Sequence, residues 1–137
     1  MRGIVITNLA AEQKTDVRGE TMELFKGLPG RQVTFYRSRA GASFANHFHK
    51  GLDPSKDPEY FFLIIGRVEF RAENGLAGET MRQEVGPEEL IIIQKNIYHE
   101  FIALEEVVFI EYRSTIFNPE TADCFPHSEY QEYLKSL

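Results

Sequence analysis

Apolar and polar positions alternate in short runs along most of this chain, and each run ends at a turn residue. Ile4-Val5-Ile6 predicts a first short strand, and Thr15 to Glu20 follows with Gly19 as its turn or bulge residue. Thr21 to Phe25 alternates as a half-buried strand should, and Leu28-Pro29-Gly30 predicts a turn. From Gln32 to Arg39 the alternation resumes, with Val33, Phe35 and Arg37 on one side and Thr34 and Tyr36 on the other. Gly41 leads into Ser43 to His49, after which Gly51 to Pro58 has no period and reads as loop. Tyr60 to Ile65, Arg67 to Arg71, Thr80 to Val85, Leu90 to Ile93, Ile97 to Leu104 and Val107 to Arg113 are further strands. Asn74-Gly75 and Gly78 predict a hairpin connection, and Leu90 to Ile93 reads as buried on both faces. Nine or ten short strands with turn signals every ~8–12 residues make an all-β sandwich or barrel. Only the tail differs: Tyr130, Tyr133, Leu134 and Leu137 fall at helical spacing after Pro126, which predicts one closing helix with Ser128 as its cap.

Composition narrows this picture. A chain of 137 residues with 42% apolar content is one domain that can bury a core. A formal charge of −6, with Lys and Arg scattered, disfavours nucleic acid as a partner. No run approaches the roughly 20 apolar residues of a membrane helix. The single Cys124 excludes a disulfide framework within the chain and reads as structural; with no targeting signal, the expected compartment is the cytoplasm.

The chemistry gathers at the histidines. His47 and His49 stand at i, i+2 and therefore share one face of an extended segment. Glu59 opens the next strand, and His99 follows the apolar run at Leu90 to Ile93. Three imidazoles and a carboxylate form a ligand set for a divalent metal ion (Zn, Fe, Mn or Ni) that leaves one or two positions open. The fourth histidine, His127, precedes the tail helix and reads as a surface or capping residue.

The spacing of these residues carries a resemblance. Gly41-x5-His47-x-His49 with Glu59-x6-Gly66 is similar to the first motif of the cupin superfamily, G-x5-H-x-H-x(3,4)-E-x6-G. Gly86 followed by Gln94-Lys95-Asn96-Ile97-Tyr98-His99 resembles the second, G-x5-P-x-G-x2-H-x3-N. The spacers before Glu59 and after Gly86 are longer than usual, Gln94 and Asn96 replace Pro and Gly, and Ala103 replaces the final Asn. Asn96 tolerates the left-handed conformation that the usual Gly supplies. The resemblance spans roughly residues 18 to 112 and implies a double-stranded β-helix, the jelly-roll or cupin barrel. That barrel would occupy about residues 15 to 115 of a single domain, with a tail and short C-terminal helix over 116 to 137.

Asp16-x-Arg18-Gly19-Glu20, Asn46-His47-Phe48-His49-Lys50 and Ile116-Phe117-Asn118-Pro119-x3-Asp123 look like the cupins that modify sugar nucleotides. These include dTDP-sugar epimerases and ketoisomerases and the C-terminal cupin of capsular-polysaccharide reductase/epimerase proteins. Phe44-Ala45 stands where those have Arg-Gly. The resemblance implies proton transfer beside a keto group of a sugar, in cell-surface polysaccharide biosynthesis. His47 resembles the base of the metal-free epimerases, and a tyrosine (Tyr36, Tyr60, Tyr98 or Tyr112) or Lys50 would carry the second proton. We single out His47, Lys50 and Tyr98 as catalytic candidates, and Arg18, Asn46 and Tyr36 as substrate contacts. Arg18 suits a phosphate or carboxylate, or else pairs with Asp16 or Glu20. Whether His47 is ligand or base stays open. A non-haem metal dioxygenase or decarboxylase of a small organic acid, and a non-catalytic sugar-binding cupin, use the same ligand set. The expected partners are a small-molecule substrate and a second copy of the chain in a homodimer, because the first strand is an edge in need of cover.

Overall fold

The computed structural model describes all 137 residues. Eleven strands form: β1 (Ile4–Asn8), β2 (Lys14–Asp16), β3 (Gly19–Thr21), β4 (Gln32–Ser38), β5 (Ser43–His47) and β6 (Glu59–Ile65), then β7 (Val68–Asn74), β8 (Glu79–Val85), β9 (Glu89–Ile93), β10 (Tyr98–Ala103) and β11 (Val107–Arg113). One helix, α1 (Tyr130–Lys135), closes the chain. A five-stranded sheet in the order β1-β9-β6-β11-β4 faces a four-stranded sheet in the order β5-β10-β7-β8, and β2 and β3 form a separate ribbon. Every pairing is antiparallel. No helix is long and apolar enough to cross a membrane.

Period-two patterning explains which face each strand buries. In the five-stranded sheet the inward row Thr34–Glu111–Phe61–Ile91–Ile6 lies beside the outward row Val33–Tyr112–Tyr60–Ile92–Val5. In the four-stranded sheet Phe44–Phe101–Phe70 and His47–His99–Ala72 face inward. The two inner faces close over a core that includes Leu63, Phe70, Ile91, Ile93, Phe101 and Phe109.

Several sequence expectations change. The barrel sheet starts at Ile4, not near residue 15, because β1 pairs with β9 along its whole length. Thr21 to Phe25 is not a strand: β3 ends at Thr21, and the chain crosses the outer face of the sheet. There Phe25 adopts a positive φ of 57° and stacks on Tyr112 at 4.3 Å, so covering apolar surface outweighs pairing. β9 is buried on one face only: Ile91 and Ile93 point inward, while Leu90 and Ile92 stay half-buried. Ser128 lies inside a 3-10 turn (His127–Glu129) ahead of α1 and caps nothing.

Gly66 joins β6 to β7 at φ +85°, and a Cβ there would run into the Glu106 carbonyl. Gly78, at φ +67°, has no atom within 4 Å of its would-be Cβ. Gly78→Ala should therefore cost only the left-handed penalty of about 1–2 kcal/mol. Gly66→Ala should cost a further 1–3 kcal/mol or so from the clash, read as a lower urea midpoint. Equal midpoints for the two variants would contradict this packing.

Candidate active site

Bringing the four ligand candidates together takes both sheets and one irregularity. His47 lies opposite His99 across the β5–β10 pair, whereas Phe44 lies opposite Phe101, so β5 spends three residues where β10 spends two. Ala45 and Asn46 absorb the extra residue in the left-handed region, at φ 69° and 52°. This bulge lets Phe44 and His47 face the same interior although they stand three positions apart. His49 follows on the same side, with its ring 4.5 Å from that of His47 and 5.4 Å from that of His99. Glu59 enters from the other sheet as the first residue of β6. On the far side, Asn96 takes the left-handed turn (φ 65°) that precedes His99, as its identity suggested.

One ligand atom from each of His47, His49, Glu59 and His99 lies within 4.8 Å of all the others. Three of these residues are buried and His47 is half-buried. The Nδ1 of His99 donates to the Ile97 carbonyl at 3.0 Å, and that of His49 donates to the Asp123 carbonyl. Each bond fixes the tautomer so that Nε2 presents its lone pair to the cluster. Those Nε2 atoms stand 3.0 and 3.3 Å from Glu59 Oε2, yet none of the three atoms makes a hydrogen bond. Lone pairs aimed at a carboxylate oxygen at that distance repel unless a proton or a cation lies among them. The donor set and its unpartnered buried atoms therefore fit a divalent metal ion.

Electrostatics show the same demand for positive charge. Burial opposes ionisation of His49, but contacts with Cys124 and Glu59 outweigh it and raise the imidazole to about 10. Burial likewise disfavours the Glu59 carboxylate, but the two imidazoles hold it far below the usual range. His47 is lowered by burial and by its histidine neighbours. Each value describes the cluster without an ion; a bound cation would take the place of the protons.

The cluster forms one end of a cavity of about 310 Å³, whose walls include Phe44, Phe61, Phe101, Phe109 and Phe117. Four further titratable residues on these walls were not singled out by the sequence as part of the site: Lys56, Glu111, Arg113 and Cys124. Glu111 and Arg113 had a signal, two charges at i, i+2 in the otherwise apolar strand β11. Lys56 and Cys124 lie in aperiodic segments and had none. Tyr36 lines the cavity as expected and donates to Glu111 at 2.8 Å, and Arg113 donates to the same oxygen at 2.8 Å. Burial and the Glu59 charge lift Glu111 to about 8, whereas burial and Glu111 hold the Tyr36 hydroxyl well above its ordinary range. Burial raises the Cys124 thiol, but contacts with His47, His49 and Lys56 outweigh it and bring it to about 5.

The other candidates fall outside the cavity. Lys50 places its ammonium 3.9 Å from the Phe125 ring and 4.9 Å from that of Tyr133. Tyr98 precedes His99 and so faces outward, against the His127 ring at 4.5 Å. His127 also meets Glu73 at 2.9 Å, the surface role foreseen for it. Asn46 is exposed, and its side chain meets only Ser43. Arg18 is 84% exposed on the β2–β3 ribbon and pairs with Asp16 at 2.7 Å, the structural alternative to a ligand contact. Tyr112 points outward and donates to the Leu28 carbonyl, with Tyr60 beside it, so Tyr36 alone of the four tyrosines reaches the cavity.

No protein-family model matches the chain, and no curated protein matches it. Solved structures do. A 3,4-ketoisomerase from Helicobacter canadensis matches with a TM-score of 0.77 and 16% identity over 96% of this chain and 97% of its own. QdtA, a sugar 3,4-ketoisomerase from Thermoanaerobacterium thermosaccharolyticum solved in complex with TDP, gives 0.77 at 14% identity over 99% and 97%. The dTDP-4-dehydrorhamnose 3,5-epimerase from Sulfolobus tokodaii gives 0.74 at 22% identity over 95% and 80%. The chain has the cupin jelly-roll fold. At these identities the likeness is one of architecture, and the chemistry of this chain has to be argued from its own side chains.

Asp123 holds the site together from the tail. Its carbonyl orients His49, and its carboxylate accepts from the backbone N–H of Lys50 at 2.7 Å and of Asp53 at 3.0 Å. Asp123→Ala leaves those N–H groups unpartnered and should cost about 2–4 kcal/mol, seen as a lower urea midpoint. A midpoint within about 0.5 kcal/mol of wild type would show that the anchor is dispensable.

Proposed function

We propose that this cupin is a metal-dependent isomerase or epimerase that moves a proton next to the keto group of a sugar, in cell-surface polysaccharide biosynthesis. The observation that carries the reading is the convergence of His47, His49, Glu59 and His99 with buried, unpartnered lone pairs. The naming of its structural neighbours as sugar ketoisomerases and epimerases supports the reaction class. His47, His49, Glu59 and His99 would hold a divalent ion. When bound, such an ion supplies a Lewis-acid pole that polarises the substrate carbonyl.

The remaining wall residues handle the proton. With His47 engaged as a ligand, the base in reach of the cavity is Glu111, whose Oε2 is buried without a partner. It accepts the proton from the carbon beside the carbonyl, and the electron pair of that C–H bond passes into an enediolate. Tyr36 keeps its proton across the physiological range and is bonded to Glu111, so it serves as the acid that returns a proton to the neighbouring carbon or the opposite face. Arg113 offsets the charge that accumulates on this pair. The phenylalanine walls limit water, which lengthens the life of the enediolate. Lys50 and Tyr98 have no part in this scheme.

Homodimer formation belongs to the same reading. Val33 and Phe35 are each 58% exposed on the outward face of edge strand β4, which offers an apolar patch to a second copy.

Protein purified without added metal should carry about one equivalent of a first-row divalent metal, measured by elemental mass spectrometry. His49→Ala and His99→Ala should lose it, and Asn46→Ala should keep it. Metal-free wild type would sink the metal assignment. Wash-in of solvent deuterium beside the carbonyl of a keto sugar tests the reaction: Glu111→Gln should slow it by about 10²-fold or more. Binding of such sugars with no exchange in wild type would leave no enzyme to explain.

A further inference from the structure

Lys56 is the one cation on the cavity wall that has no carboxylate to face. It is 7% exposed, and a built loop holds it: Asp53 caps the 3-10 turn Pro54–Lys56 by accepting from the Ser55 N–H at 2.9 Å. Its ammonium has a single polar partner, the Cys124 sulfur at 3.1 Å, so the softest acceptor in the chain serves one of three donors. It sits 5.1 Å from the Phe117 ring, and Arg113 sits 4.8 Å from the same ring. Arg113 is offset by Glu111, and its other contacts are the hydroxyls of Ser55, Thr34 and Tyr36. Even beside an ionised Cys124, the ammonium keeps further N–H donors that no acceptor of the chain serves. A divalent ion on Glu59 and the histidines leaves the cavity net positive whether or not Cys124 is ionised.

We infer that Lys56 and the Phe117 shelf form a subsite for a substrate carboxylate, so that the compound enolised here is a keto sugar acid. The inference rests on the isomerase reading for the reacting carbonyl, but the subsite stands on Lys56 itself. The cavity is at the small end of ligand pockets and takes a sugar-sized acid, whereas a nucleoside diphosphate would lie outside it. The carboxylate replaces water on the ammonium and forms a charge-assisted hydrogen bond in a mostly apolar cavity.

The test compares D-galacturonate, D-galactose and inorganic phosphate by titration calorimetry on the full chain, zinc-loaded and chelator-treated. Galacturonate should bind wild type about ten- to a hundredfold more tightly than galactose. Lys56→Met should abolish that preference, and Lys56→Arg should keep most of it. Equal affinity for acid and neutral sugar, or an unchanged preference in Lys56→Met, would overturn the subsite. Phosphate binding more tightly than galacturonate would overturn the carboxylate assignment. Metal content of the same samples separates the two readings: preference without metal upholds the subsite while the metal assignment falls, and metal without preference does the reverse.

Discussion

A carboxylate buried between two imidazoles, each turned so that its lone pair faces the carboxylate, cannot rest without positive charge. Glu59 is 4% exposed and its Oε2 has no hydrogen-bond partner, while His49 and His99 are locked through Nδ1 to backbone carbonyls. The rest of the barrel is arranged so that this cluster forms. Glu59 comes from one sheet, His47 and His99 from the other, and His49 is held by a tail residue more than seventy positions away. Loss of any of these supports leaves a buried charge, so the site and the fold share part of their stability.

The same cluster explains where the backbone carries strain. Ala45 and Asn46 both sit in the left-handed region, which Asn tolerates but which costs Ala45 about 1–2 kcal/mol. That cost produces the bulge that brings His47 to face His99. Without it, period-two alternation would send either Phe44 or His47 outward. A glycine at position 45 would relieve this strain. Asn96 performs the parallel service before His99, with its amide side chain held by Tyr133.

Within the cavity, charge is divided by role. The cluster of His47, His49, Glu59 and His99 occupies one end, Tyr36 and Arg113 both donate to Glu111 between β4 and β11, and Lys56 stands on a loop with the Cys124 sulfur as its polar partner. This division differs from what the cupin resemblance alone implied. Lys50, Tyr98 and Asn46 flank the histidines in sequence but are turned out of the cavity, and Arg18 belongs to a ribbon far from them in role. The architecture is common to enzymes that act on sugar nucleotides, while the side chains that would choose a substrate are this chain's own.

Most strands were legible because side-chain alternation is a local property: each residue's face follows from its neighbour's. The four-residue cluster was legible for the same reason, since His47 and His49 share a face, Glu59 opens β6 and His99 lies at the start of β10. Residues 22 to 25 were misread because their alternating pattern serves to cover Tyr60 and Tyr112, a choice made by a sheet assembled from distant strands. Lys56 and Cys124 could be placed only by the tertiary structure. They lie in a loop and a tail without period, and they meet because Asp123 ties those two segments together across the barrel mouth. The sequence by itself determined the barrel and the convergence of His47, His49, Glu59 and His99, whose positions depend on local geometry. Tertiary structure decided which charges share the cavity with them, because that depends on how unpatterned segments pack.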